Sequence, residues 1–160
     1  MPESGLWLPY RNADGSAIRD GDKDYGRLRL DEPVDKKKYH QAFGTSVHAY
    51  LPPGIATTPS TGSDLYIIEG EFKSLSLAEA GFRAVGISGF FGFGLKDNGG
   101  IVPELAAVIE RLKPARIFFC GDSDTALNYQ FSVAAVRLAK LNPSVQVWLP
   151  RIAMNAQGNP

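Results

Sequence analysis

The chain has 160 residues, 44% hydrophobic and 21% charged, which predicts one compact core with room beside it for only a small second section. Seventeen basic residues balance seventeen acidic ones, so a general basic excess is excluded and any phosphate-binding surface must be local. A single cysteine, Cys120, rules out an intrachain disulfide and a cysteine-rich zinc site. No apolar run approaches the ~18 residues of a membrane span and no charged-then-apolar leader is visible, so the expectation is a soluble, cytoplasmic protein without a membrane partner.

Residues 1–63 are broken by Gly, Pro, Asn and Asp, and short alternating stretches predict strands at Tyr25–Leu30 and Val47–Leu51. Asn12–Gly15 and Arg19–Asp22 carry residues that tolerate positive φ, which favours a meandering antiparallel section. Pro52-Pro53-Gly54 and the run Thr57–Ser63 mark its boundary.

From Asp64 apolar runs alternate with helical periodicity, the pattern of parallel strands joined by helical crossovers. Strands are expected at Asp64–Ile68, Arg83–Ile87, Ala115–Cys120 and Val145–Leu149, giving an α/β section of about four mainly parallel strands over 64–150 and a tail over 151–160. A first helix spans Phe72–Ala80 and ends at Gly81. A second starts at Pro103, shows an apolar face of Leu105, Val108, Ile109 and Leu112, and stops at Pro114. A third follows Asp124 with Leu127, Phe131, Ala134, Leu138 and Leu141 at spacings of four and three, and Asn142-Pro143 closes it.

Ligands of open parallel sheets gather beyond the carboxyl ends of the strands. Glu69-Gly70-Glu71 follows the first strand and Gly121-Asp122-Ser123-Asp124 the third, so if those strands are neighbours their carboxylates face one another. Glu69, Asp122 and Asp124 crowded together would repel without a cation, and hard carboxylate oxygens suit Mg²⁺ or Mn²⁺. The alternative is structural: Asp122, Ser123 or Asp124 caps the following helix, and Glu69 or Glu71 favours the positive end of another.

Ile67–Leu75 (IIEGEFKSL) and Phe118–Ala126 (FFCGDSDTA) resemble the paired Glu-Gly and Asp-x-Asp motifs of the TOPRIM superfamily, shared by bacterial-type primases, topoisomerases and nucleases. The segments Trp7–Tyr10, Gly26–Leu30, Lys38-Tyr39 and Tyr50–Gly54 are ordered like the basic subdomain that precedes TOPRIM in bacterial replicative primases. The chain is similar to a TOPRIM-like domain of uncharacterised function in phage, plasmid and other mobile-element replication proteins. The resemblance implies that Glu69 acts as acid/base or metal ligand and that Asp122 and Asp124 bind Mg²⁺ or Mn²⁺. Where primases carry an aspartate four residues after the motif glutamate, this chain has Lys73, able to bind a phosphate or to pair with Glu69.

Arg11, Arg27, Arg29 and Lys36, Lys37 and Lys38 are candidates for a nucleic-acid backbone or for an ordinary solvated surface, given the many acids around them. The loop Ser88–Gly94 can either stack bases or pack its aromatics inside; its Ser88 and Gly89 are candidate nucleotide contacts. His40 and His48 lack metal-ligand spacing. The expected function is a Mg²⁺-dependent, primase-like nucleotidyltransferase using a single-stranded DNA template and nucleoside triphosphates, with a replicative helicase as a further partner. Its rivals are a nuclease using the same acids and a non-catalytic module that binds nucleic acid or a helicase. A topoisomerase ranks behind them, because no tyrosine is marked as its nucleophile.

Overall fold

The computed structural model describes residues 4–35, 37–55, 64–95, 99–122 and 128–150. The boundary run Thr57–Ser63, the tail over 151–160, and Lys36, Ser123, Asp124 and Leu127 lie outside them. The architecture is mixed α/β: an antiparallel, strand-rich N-terminal section followed by a four-stranded parallel sheet flanked by helices.

In the N-terminal section β1 (Gly5–Pro9), β4 (Gly26–Val34) and β5 (Lys37–Gln41) form a three-stranded sheet in the order β1-β4-β5. The short strands β2 (Arg19–Asp20) and β3 (Lys23–Asp24) pair across the Asp-Gly turn expected there. Strand β5 was not anticipated. Its lysines hide the alternation, and charge of this kind is what keeps an exposed edge strand from recruiting another chain.

The second sheet has the order β7-β6-β8-β9, every pair parallel, built from β6 (Leu65–Glu69), β7 (Ala84–Ile87), β8 (Arg116–Cys120) and β9 (Gln146–Trp148). The helices are α1 (Glu71–Glu79), α2 (Pro103–Leu112) and α3 (Tyr129–Leu141). Proline occupies the first position of α2, where its missing N–H costs nothing. At the end of α1, the N–H groups of Gly81 and Phe82 donate to the carbonyls of Ala78 and Leu77, the paired bonds of a Schellman cap.

Alternate strand residues Leu65, Ile67, Val85, Ile87, Ile117 and Phe119 are buried with Leu105, Val108 and Leu112 of α2 and Phe131, Ala134 and Leu138 of α3 in one core. Helix α1 packs on the opposite face. It comes so close at Gly86 that a Cβ there would stand 2.8 Å from Ser74 Oγ, which only glycine avoids.

A smaller cluster of Leu8, Tyr10, Ile18, Tyr25 and Tyr50, with Leu75 of α1 against it, seats the N-terminal section on the helix. The strand expected at Val47–Leu51 is reduced to one antiparallel bridge, in which Tyr50 and Gly86 exchange two backbone hydrogen bonds of 2.8 Å. Pro52 and Pro53 follow at once and cannot donate to a ladder, so the pairing stops. His48 adds a second tie, with Nδ1 2.6 Å from Glu104 Oε1 in the first turn of α2, both side chains largely buried. The pairing gives His48 a structural role in joining this segment to α2. Among the described residues no helix is long and apolar enough to cross a membrane.

Candidate functional site

Glu69 is the last residue of β6, and the paired register Ile68 to Cys120 makes β6 and β8 direct neighbours. Asp122 follows β8 by two residues, so the two acidic loops rise from adjacent strand ends, the condition on which the sequence reading depends. Gly70, between β6 and α1, holds φ 101° and ψ 146°, close to backbone space reserved for glycine, and this turn swings the chain from strand into helix.

A cleft of about 810 Å³ opens at this end of the sheet. It is lined by Glu69, Asp122, Lys73, Ser88 and Gly89 of the α/β section and by Arg27, Arg29 and Lys38 of the N-terminal sheet. Arg27 and Arg29 share one face of β4 because a strand repeats every two residues.

Arg11 and Lys37 are not among the residues that line the cleft. Arg11 donates to the Gly15 carbonyl of its own hairpin at 3.2 Å. Lys37 borders a separate hollow of about 240 Å³ beside Leu30, Val34 and His40. Lys36 lies outside the described residues, as does Asp124, so the Asp-x-Asp pair is described only through Asp122.

Lys73 pairs with Asp122, not in the helical turn with Glu69 that the four-residue spacing suggested. The spacing rule needs both residues on the helix, and α1 begins only at Glu71. The cap of α3 is Asn128, whose side chain accepts from the Gln130 N–H at 2.9 Å, so Asp122 does not cap that helix.

Glu71 sits at the positive end of a helix, as the structural alternative has it, but its partners were not legible in the sequence. Glu71, the first residue of α1, is 2% exposed, and its Oε1 accepts from the Tyr10 hydroxyl at 2.7 Å and from Arg27 Nη1 at 2.6 Å. Burial, reinforced by the Glu71 charge, pushes the Tyr10 phenol far above its usual range. Burial works against the Arg27 charge, but Glu71 and Tyr10 outweigh it and the guanidinium pKa rises. The Tyr39 ring, directly opposite Arg29 in the β4–β5 register, lies 4.5 Å from the Arg27 guanidinium and 5.1 Å from that of Arg29. The only sequence hints were the Glu next to the Glu-Gly pair and a tyrosine two residues after Lys37.

Most of the aromatic loop serves the core. Phe93 is fully buried edge-on to Phe119, Phe90 meets Phe131 edge-on at 5.5 Å, and Phe91 alone of the three stands exposed. Burial also pushes the Cys120 thiol up to about 11, which keeps it protonated at neutral pH and unsuited to nucleophilic attack.

No protein-family model matches the chain, and comparisons with curated proteins and with solved structures find no match. What the cleft can do follows from its own chemistry. A hard divalent cation asks for oxygen donors, which Glu69 and Asp122 supply from neighbouring strand ends, so the donor chemistry fits. Lys73 competes for Asp122, and among the described residues no three His, Cys, Asp or Glu side chains are grouped closely enough to hold a metal. The N-terminal sheet offers guanidinium and ammonium groups, the usual partners of phosphate.

Proposed function

We propose that the cleft is a TOPRIM-type site and that the protein is a Mg²⁺- or Mn²⁺-dependent, primase-like nucleotidyltransferase acting on single-stranded nucleic acid. One observation carries the reading: Glu69 and Asp122, from adjacent parallel strand ends, line the same cleft as Arg27, Arg29 and Lys38 from the N-terminal sheet. Carboxylates and cations within one depression suit a ligand that brings both phosphate and a metal ion.

In this reading Asp122 and Asp124, with Glu69, would hold the cation, which when bound supplies charge neutralisation on a triphosphate. The basic side chains orient the phosphate chain and the template backbone. In its alternative role as acid/base, Glu69, which lines the cleft with Ser88 and Gly89, accepts the proton of the 3′-hydroxyl as that oxygen attacks the α-phosphorus and pyrophosphate leaves. Nucleoside triphosphates and single-stranded DNA are the substrates, and a replicative helicase of a phage- or plasmid-type system is the partner the motif resemblance suggests.

The test is primer synthesis on single-stranded DNA with labelled nucleotides and Mg²⁺. The wild-type chain is expected to extend and the Asp122→Ala/Asp124→Ala variant to lose extension; equal synthesis by both would sink the assignment. Cleavage of DNA without nucleotides would instead support the nuclease reading. The Lys73–Asp122 ion pair favours a second reading, a non-catalytic module that binds nucleic acid or a helicase. That module would retain DNA binding in EDTA and show no turnover.

A further inference from the structure

We infer that Tyr10 and Glu71 are positioning residues that hold Arg27 as a preorganised phosphate-binding fork, and that the cleft takes a polyphosphate chain at Arg27 without requiring a metal ion. This rests on the nucleotide reading of the cleft and deepens it.

Three contacts fix the guanidinium. Nη1 donates to Glu71 Oε1 at 2.6 Å, the same oxygen accepts from the Tyr10 hydroxyl at 2.7 Å, and the Tyr39 ring covers one guanidinium face at 4.5 Å. Tyr10 is 1% exposed and its ring is clamped edge-on between Tyr25 and Tyr50, so the anchor of this chain of bonds cannot swing. Arg27 nevertheless lines the cleft. A long side chain that ordinarily surrenders rotamer freedom on binding is already held in place, and this lowers the entropic cost of binding.

The pair is poorly arranged for stability alone. Arg27 engages Glu71 through a single nitrogen rather than a fork, leaving Arg27 Nε and Glu71 Oε2 buried without hydrogen-bond partners. Buried ion pairs rarely outdo apolar packing of equal volume, and a half-satisfied one does so still less. What this arrangement provides is a cation at a fixed position facing a cleft whose volume suits a small ligand. Inorganic triphosphate reproduces the shared chemistry of a nucleotide tail, and single-stranded oligothymidylate reproduces that of a nucleic-acid backbone; the assignment here is to the former.

The experiment is calorimetric titration of the full chain with inorganic triphosphate in EDTA, with oligothymidylate as a parallel arm. The wild type should bind triphosphate. Arg27→Lys, which keeps the charge and loses the planar fork, and Glu71→Gln should each weaken it by roughly tenfold to a hundredfold. The sign is diagnostic for Glu71. A carboxylate that merely adds negative charge would repel the anion, so its neutralisation would tighten binding, whereas loss of a positioning contact weakens it. Triphosphate binding by Glu71→Gln equal to or tighter than wild type overturns the inference and leaves the catalytic reading standing. Should Glu71→Gln not fold, Tyr10→Phe decides, since it keeps both charges: several-fold weaker binding supports the inference and unchanged binding overturns it. Weakening confined to oligothymidylate overturns the triphosphate assignment. Wild-type triphosphate binding without primer synthesis sinks the catalytic reading alone, and absence of triphosphate binding by wild type overturns the phosphate site itself.

Discussion

The ammonium of Lys73 on α1 pairs with the carboxylate of Asp122 beyond β8, joining the two loops that carry the candidate carboxylates. Lysine in the first turn of a helix sits at the positive end of the dipole, an unfavourable place that the pairing with Asp122 offsets. Both side chains are about half exposed, so the pair contributes at most ~1 kcal/mol. Lys73→Met should therefore leave urea stability within about 1 kcal/mol of wild type. The same change should raise Mn²⁺ affinity by removing the ammonium paired with Asp122, and calorimetry showing unchanged or weaker Mn²⁺ binding would count against a metal held there.

Alkaline pH should destabilise the fold. Burial raises Tyr10 above its ordinary 10.0, Tyr25 from 10.0 to about 12, and Cys120 from 9.0 to about 11. Each group thus binds its proton more tightly folded than unfolded. The stability they contribute is complete below pH 9 and declines as pH rises from there through about 11 and 12. Urea melts at pH 8, 9, 10 and 11 check this, and Tyr10→Phe should flatten the decline above pH ~10.

Gly70→Ala should cost about 1–3 kcal/mol, because its backbone angles exclude a Cβ although open space surrounds it. Thermal melts give the value. Undiminished stability would mean that the turn between β6 and α1 relaxes to an ordinary conformation.

Asn128→Ala should lower stability by roughly 0.5–2 kcal/mol through loss of the α3 cap, while Asn128→Asp should be nearly neutral. Equal melts for all three proteins would reopen the capping role for the acids of the preceding loop.

Much of the α/β section was legible. Pro103 and Pro114 bracket α2, Gly81 ends α1, and the apolar runs gave the four strands to within two residues at either end. The neighbouring positions of β6 and β8, and so the shared rim of Glu69 and Asp122, follow from strand order, which the sequence could suggest only as a condition. Local patterns failed where long-range geometry decides. The Glu71–Tyr10 contact joins residues 61 positions apart, and Lys73 meets a carboxylate 49 positions away instead of the nearby Glu69. The lysines of β5 read as a charge run because a strand exposed at a sheet edge need not alternate.

The bridge between Tyr50 and Gly86, with the tyrosine cluster against Leu75, brings into one cleft groups of different ancestry in the chain: carboxylates from the parallel sheet and cations from N-terminal strands fastened beside its β7 edge. The two sets meet in the Glu71–Arg27 pair, and away from it, at Arg29 and Lys38, the charge can change apart from the carboxylates. Exchanging residues on the exposed faces of β4 and β5 would retarget the cleft to a differently charged guest without touching the strand ends, whereas a shift of one register step at Tyr50 would detune every candidate contact together.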